Sequence, residues 1–301
     1  MLFGKYLKIC RERYHLTQEE LVYRCYSYDD DFQGLDVGTL SRWERGITNP
    51  SVDKQIKITK LLQRYENSVF PYLKTYEARE IETELCQVGV KNLIGNSKDH
   101  ILNFPHSDIM AKNLKLSYIK EYTNKEAILK MPNDVLESLT NNHYELSIEI
   151  LKSWAKHKHN LFTVSEYDGH FFGMMFVVRL KPNVFEDLLN FKRELKTLKD
   201  EDFMQDGEMA CSFVITFFAY NHTTASLLFL RYYANLIASQ DYLLEVGSIT
   251  VLESAVKLVE KINLKKHCTD SDPSKNRSSY RATLDEILLR EDVFKMLFRK
   301  V

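Results

Sequence analysis

At Leu161 the hydrophobic pattern of this chain changes period, and that change limits what it can fold into. Before it, apolar residues recur at helical spacing, beginning with Leu2, Phe3, Tyr6, Leu7, Cys10 and Tyr14, which places them on one helix face. After it, Leu161 to Tyr167 reads as a strand, Asp168-Gly169 as a hairpin turn, and His170 to Leu180 as a second strand. Cys211 to Tyr220 is a strongly apolar strand, followed by a helix over Thr223 to Ser239, a strand at Tyr242 to Val246 and an amphipathic helix over Thr250 to Leu264. A chain of 301 residues is long enough for two such parts. With only 10 Gly and 6 Pro, it lacks the punctuation of an all-β fold full of tight turns.

Charge narrows the function. Lys+Arg is 41 and Asp+Glu is 42, so a nucleic-acid role needs a local basic patch. The five cysteines are scattered and form no C-x-x-C pair, which disfavours a disulfide framework or a cysteine-based zinc site. Met1 to Tyr14 is amphipathic and lacks the apolar core of a signal peptide. The apolar stretch Cys211 to Tyr220 falls short of the ~20 residues that span a bilayer. The expectation is a cytoplasmic protein with reduced thiols, no membrane contact and no cofactor.

The N-terminal part has its own punctuation. Thr17 with Glu20 three residues later is a capping box that starts a second helix. Tyr26 to Leu35 reads as a loop with the acidic run Asp29-Asp30-Asp31. Asp36 caps a short helix that Gly46 stops. Asn49-Pro50-Ser51 is a turn and cap for a fourth helix, Val52 to Tyr65. Leu16-Thr-Gln-Glu-Glu-Leu21, then Leu40-Ser-Arg-Trp-Glu-Arg-Gly46, then Asn49-Pro50-Ser51 resemble the XRE-type helix-turn-helix family of Cro-like and phage-repressor-like domains, over about residues 3 to 64.

That resemblance implies DNA binding. Thr17 and Gln18 would meet a phosphate at the second helix's N-terminus. Val37, Gly38, Thr39, Ser41 and Arg42 would face the major groove, with Arg42 able to read guanine. Arg45, Thr48 and Lys54 would contact phosphates. The long acidic stretch between helices two and three departs from the family's tight turn and must point away from DNA. Residues 1 to 65 carry 11 Lys/Arg against 9 Asp/Glu, so the expected mode is a homodimer reading two half-sites of a palindromic or pseudopalindromic duplex.

From about residue 120 to 268 the element order, the hairpin Tyr167-Asp-Gly-His-Phe-Phe-Gly173 and Ala255-x-x-Leu258-x-x-Lys261 resemble the GNAT acyltransferase family. The resemblance implies an acyl-CoA site whose diphosphate rests on a Gly-rich strand-to-helix turn. Here that turn is Tyr220-Asn-His-Thr-Thr-Ala-Ser226, and no glycine or Lys/Arg lies between Val214 and Phe229. His222 and the hydroxyls of Thr223, Thr224 and Ser226 are what remains to meet an anion. Val259 stands where the family often carries a general-acid Tyr, and Asn263-Leu264 replaces its Gly-Phe pair. The expectation is a scaffold without catalysis, since function sits in the site and not in the fold.

The expected fold class is an all-α helix-turn-helix N-terminal domain plus an α/β, mixed-sheet, GNAT-like C-terminal domain, joined by a helical connector. The boundaries are 1–65, 66–119 and 120–301, with helix resuming from Ser107 to about His157. The expected function is a dimeric, sequence-specific transcriptional regulator bound to double-stranded DNA. Its C-terminal domain serves dimerisation, with a cleft left for a small-molecule or acyl-CoA-like ligand or a protein partner. The alternative is a DNA-targeted acyl-CoA-dependent N-acyltransferase. His157-Lys-His159 reads as a solvated basic helix end, Cys211 as a buried thiol, and Phe171, Phe172, Phe176, Phe217 and Phe218 as core. The tail of Arg290, Lys295, Arg299 and Lys300 reads as a solvated basic helix.

Overall fold

The structure, a computed structural model, describes residues 1–66, 68–73, 77–88, 114–119, 125–131 and 146–298. The chain divides into two compact units. One combines Met1–Leu93, Leu230–Asp241 and Leu288–Val301; the other combines Ile94–Phe229 and Tyr242–Ile287. No helix of the described residues is long and apolar enough to cross a membrane.

The first unit is built on α1 (Phe3–Arg13), α2 (Gln18–Tyr28), α3 (Val37–Glu44), α4 (Val52–Leu62) and α5 (Ala78–Val88). Capping sets the starts. Thr17 and Glu20 form a reciprocal capping box on α2, Asp36 accepts from Thr39 N, and Ser51 accepts from Lys54 N. Gly46 follows α3 with φ +69°, the left-handed stop that glycine takes at least cost. A Cβ on Gly4 would lie 1.7 Å from the Trp43 carbonyl oxygen, so the absence of a side chain there is what lets α1 reach α3. Rings of Phe3 and Tyr6 meet Phe298 at 5.1 and 5.2 Å, and Phe70 meets Phe294 at 5.6 Å.

The C-terminal helix α11 (Glu291–Leu297) therefore packs apolar residues into this unit. Its other face is solvated, as the sequence implies: Lys295 is exposed and pairs with exposed Glu291, while half-buried Arg290 bonds Asp292. Residues 299 to 301 lie outside the described residues. Gln240 seals the unit's interior by accepting from Phe70 N at 2.6 Å and donating to Phe70 O at 3.1 Å.

The second unit is α/β. Its seven strands are β1 (Lys115–Tyr118), β2 (Leu161–Tyr167), β3 (His170–Leu180), β4 (Ala210–Ala219), β5 (Leu243–Thr250), β6 (Lys265–Thr269) and β7 (Ser278–Thr283). They lie in the order β1-β2-β3-β4-β5-β7-β6. Every pairing is antiparallel except β4 with β5. Three of these strands differ from the sequence reading. Lys115 to Tyr118 was expected to be helical, and β6 and β7 stand at either end of Asp270 to Ser279 (DSDPSKNRSS), whose polar composition reads as a loop, with β7 starting inside it at Ser278. β1 is too short to show a period, and β6 (KKHCT) has no buried residue to mark its inner face.

Among the described helices of this unit are α6 (Ile148–Lys156) and α7 (Pro182–Leu189). With one sheet face they enclose a core of Trp154, Phe162, Phe176, Phe185, Phe203 and Phe213. Phe162 stacks on Phe176 at 4.5 Å. The start of α8 (His222–Ala238), as far as Phe229, belongs to this unit and lies against the other face, where Phe229 meets Phe217 at 4.8 Å. α9 (Glu253–Lys261) follows β5, and α10 (Leu284–Leu288) follows β7.

Charge clamps hold the β5-β7-β6 side. Arg281 joins Glu245 and Glu186. Arg277 joins Asp270 at 2.6 Å and Glu194 at 2.9 Å. The hydrogen-bonded Arg277 guanidinium, with Lys275, holds the Glu194 carboxyl down at about 2, from an ordinary 4.5. A depressed carboxyl contributes stability that is whole above its unfolded value and lost as pH falls through its folded one. Glu194→Gln is therefore expected to lower the urea midpoint by a constant amount above about pH 4.5. The difference from the parent should vanish as pH approaches 2, and a gap that stays constant down to that pH would contradict the clamp.

Candidate functional site

The sheet opens where β4 and β5 part. The two strands pair at Ala210 with Leu243, Ser212 with Val246, Phe213 with Gly247 and Val214 with Ser248, and no further. Yet β4 runs on to Ala219 and β5 to Thr250. At the last rung the Ser248 hydroxyl donates to the Val214 carbonyl at 3.0 Å.

A bulge in β4 accounts for the parting. On β3, Val177 faces Val214 and Phe176 faces Thr216, so Ile215 has no opposite residue. An extra residue bends its strand and sharpens the local twist. Burial changes at that point. β4 is buried from Ala210 to Phe213 and only half-buried from Val214 to Phe218. Past the fork, the backbone groups of β4 that face β5 have no partner on that strand.

Between the strands lies a cleft of about 160 Å³, walled by Met175, Phe217, Ile249, Ala255 and Val259, with Ser248 at the fork. Its lining is overwhelmingly apolar and carries no Asp, Glu, Lys or His among the described residues. Arg277, which also reaches the cleft, is neutralised by Asp270 and Glu194. The hollow suits a narrow, mostly uncharged chain with hydrogen-bonding amides. A drug-sized ligand of several hundred Å³ would not fit inside it.

The turn from β4 into α8 is less hospitable to anions. Asn221 Oδ1 accepts from Thr224 N at 2.8 Å and so uses a free N–H of the first turn. Thr224 is buried, and its hydroxyl and the His222 Nδ1 have no hydrogen-bond partner among the described residues. Val259 lines the cleft, so the position of the expected general acid offers no proton.

The residues expected at DNA lie in the first unit, on α2 to α4. Thr17 caps α2. Gln18 donates to Glu44 Oε2 at 2.7 Å. Val37 and Thr39 are half-buried on α3, and Gly38 is exposed. Ser41 is half-buried, Arg42 donates to Thr39 Oγ at 2.9 Å, and Arg45 donates to the Ser41 carbonyl at 3.2 Å. Thr48 is exposed and Lys54 half-buried. The acidic stretch is gathered by Lys57, which bonds both Asp29, at 3.1 Å, and Asp31.

Other candidates separate cleanly. His159 and Lys158 both bond Asp206 at 2.8 Å. His157 rests on the Phe203 ring, and no cluster of potential metal ligands occurs among the described residues. Burial pushes the Cys211 thiol up to about 12, which keeps it protonated and unreactive at neutral pH. Of the phenylalanines expected in the core, Phe176 is fully buried, Phe171 and Phe218 are half-buried and pack against the same core, and Phe172 and Phe217 are half-buried.

No protein-family model matches the chain, and no curated protein matches it. The solved structures similar to it include N-acetylglutamate synthase from Neisseria gonorrhoeae, complexed with coenzyme A and N-acetyl-glutamate. That match is 10% identical with a TM-score of 0.34, over 57% of this chain and 35% of the synthase. The chain thus spans about a third of the synthase's length. An N-acetyltransferase from Staphylococcus aureus Mu50 matches at 14% identity and TM-score 0.35, over 57% of this chain and 97% of that one. Ard1 from Thermoplasma volcanium matches at 10% and 0.34, with the same coverages.

These neighbours are acetyltransferases, and no DNA-binding regulator is among those named, so the expectation of a DNA-binding transcriptional regulator with a non-catalytic C-terminal domain is withdrawn. The parting of β4 from β5, which creates the cleft, has no sequence motif of its own.

Proposed function

We propose that this protein is an acyl-CoA-dependent N-acyltransferase whose donor threads the cleft between β4 and β5. The observation that carries the proposal is the end of the β4–β5 ladder at Val214 and Ser248, beside the bulge at Ile215. It leaves strand-edge amides facing an apolar slot. A pantetheine arm has amides that pair with such an edge and a thioester that prefers dry surroundings.

The chemistry needs little else. The acceptor nitrogen attacks the thioester carbonyl carbon, a C–N bond forms and the C–S bond breaks. The proton released by the amine ends on the departing thiolate. Negative charge that gathers on the carbonyl oxygen is met by the freed N–H groups of β4, and donors fixed in place for such charge are often the largest catalytic contribution. Low polarity in the cleft strengthens those bonds.

The arm fits better than the nucleotide. The β4–α8 turn supplies no Lys or Arg, and Asn221 uses a first-turn amide. In the same proposal, residues 1–65 have an XRE-type helix-turn-helix fold, supported by the Thr17–Glu20 box, the Asp36 cap and the Gly46 stop. Residues 66–119 are the connector and 120–301 the acyltransferase part.

Calorimetric titration with acetyl-CoA, followed by a thiol-release assay with a mixture of primary amines, tests the reading. Saturable binding and amine-dependent thiol release are expected. No binding at millimolar acetyl-CoA would overturn it.

A further inference from the structure

Phe171 and Phe218, half-buried at the edge of the core, form an aromatic corner beside the cleft with Phe172 and Tyr220. Phe171 and Phe218 lie nearly parallel, 6.0 Å apart and 10° from coplanar. Tyr220 stands across both, at 5.9 Å and 76° from Phe171 and at 5.0 Å and 82° from Phe218. Phe172 adds an edge contact to Tyr220 at 6.0 Å. All four are half-exposed, although burying such rings is among the larger gains available to a fold. Phe218 belongs to both places, since it also lines the cleft.

The corner lies on one particular side of the sheet. Successive strand residues point to opposite faces. Phe217 packs on Phe229 of α8, whereas Phe218, the next residue, meets Phe171. Phe171 and Phe218 therefore sit on the face away from α8. That face carries the core under α6 and α7, and Phe171 and Phe218 lie at its half-exposed edge, where an acceptor would reach the cleft. Thr216, at the bulge, and Phe218 are two residues apart, about 7 Å along the strand. A ring joined to an amine through a short alkyl linker spans that distance.

Charge argues against other acceptors. A polyamine or a lysine-rich peptide calls for carboxylates, and the described cleft lining has none. An amino-acid acceptor calls for a free cation to hold its carboxylate. Arg277, the cation that reaches the cleft, already serves two carboxylates. Aromatic faces, by contrast, take both a ring, by stacking, and an ammonium, by cation–π attraction.

We infer that the acyl acceptor is a small primary amine carried on an aromatic ring by a short alkyl linker, held by Phe171, Phe218 and Tyr220. This rests on the acyltransferase reading above.

The test uses the full chain. Acetyl-CoA binding is measured first, then turnover of phenethylamine, spermidine and glutamate at saturating acetyl-CoA. Phenethylamine should have the highest kcat/KM of the three, by about 10-fold or more. Phe171→Ala should raise the phenethylamine KM by about 3- to 10-fold, the worth of one aromatic contact. Phe171→Tyr, which keeps the ring, should restore it to within about threefold on the same scale. If acetyl-CoA binds but spermidine or glutamate matches phenethylamine, or none is acetylated, the acceptor inference fails while the donor reading stands. A Phe171→Ala KM equal to the parent's would also overturn it. If acetyl-CoA does not bind, the acyltransferase reading fails, and the inference with it.

Discussion

Ala255→Phe is expected to weaken acetyl-CoA binding at least about 30-fold, or about 2 kcal/mol, while the melting temperature stays within a few degrees of the parent. Ala255 is half-buried at the start of α9 and looks into the cleft between β4 and β5. A phenyl ring there would take up much of a hollow of about 160 Å³. Because the position borders open space, the ring displaces solvent and not packed core, so overpacking strain stays small. Ala255→Ser, which adds one oxygen, should bind within a few fold of the parent. Equal affinity in the Phe variant, measured by calorimetry, would mean that the donor lies elsewhere.

Glu44→Ala is expected to cost the first unit about 3–5 kcal/mol, the usual result of stripping one partner from a buried ion pair. The Glu44 side chain is 3% exposed and the Arg11 side chain 12%. Arg11 Nε donates to Glu44 Oε1 at 2.6 Å and Nη2 donates to Oε2 at 3.1 Å, a two-pronged pair. Gln18 adds a third donor to Oε2 at 2.7 Å. The carboxylate thus ties the starts of α1's last turn and of α2 to the end of α3. Without it, a largely buried guanidinium keeps the Leu16 carbonyl, 2.7 Å from Nη1, and the exposed Glu12 carboxylate at 3.7 Å. Glu44→Gln retains one acceptor and should lose less. Urea denaturation of the full chain, read by a probe in the first unit, measures both. A loss under about 1 kcal/mol for Glu44→Ala would place the pair among surface bridges of little worth.

Much of the first unit is legible in the sequence because its helix signals are local. Thr17 with Glu20, Asp36, Ser51 and Gly46 each act within four residues, and all four caps or stops occupy those positions. β2, β3 and β4 are legible for a related reason, since each carries a long apolar run. β1, β6 and β7 are not, because their order comes from pairing with neighbours far along the chain. Lys115 faces Glu166, and Arg281 faces both Gly247 and Lys265 across the sheet.

The candidate site was the least legible part. The bulge at Ile215 is a relation between two strands, visible only in their register. One sequence signal does accompany it. Val214, Ile215, Phe217 and Phe218 crowd bulky apolar residues onto both faces of β4, with Thr216 alone between them. A strand with one solvated face would alternate. The same run explains why Phe217 and Phe218 read as core, since composition cannot show that a neighbouring strand has moved aside. Glu44 was missed because its value lies in Arg11 and Gln18, 33 and 26 residues away.

Amide hydrogen exchange with and without saturating acetyl-CoA tests the donor cleft most directly. Protection should rise at Ile215 to Ala219 of β4 and at Ile249 to Leu252, where the two strands no longer pair, and stay constant along β2. A bound state in which those amides exchange as fast as in the free protein would contradict a thioester arm lying between β4 and β5.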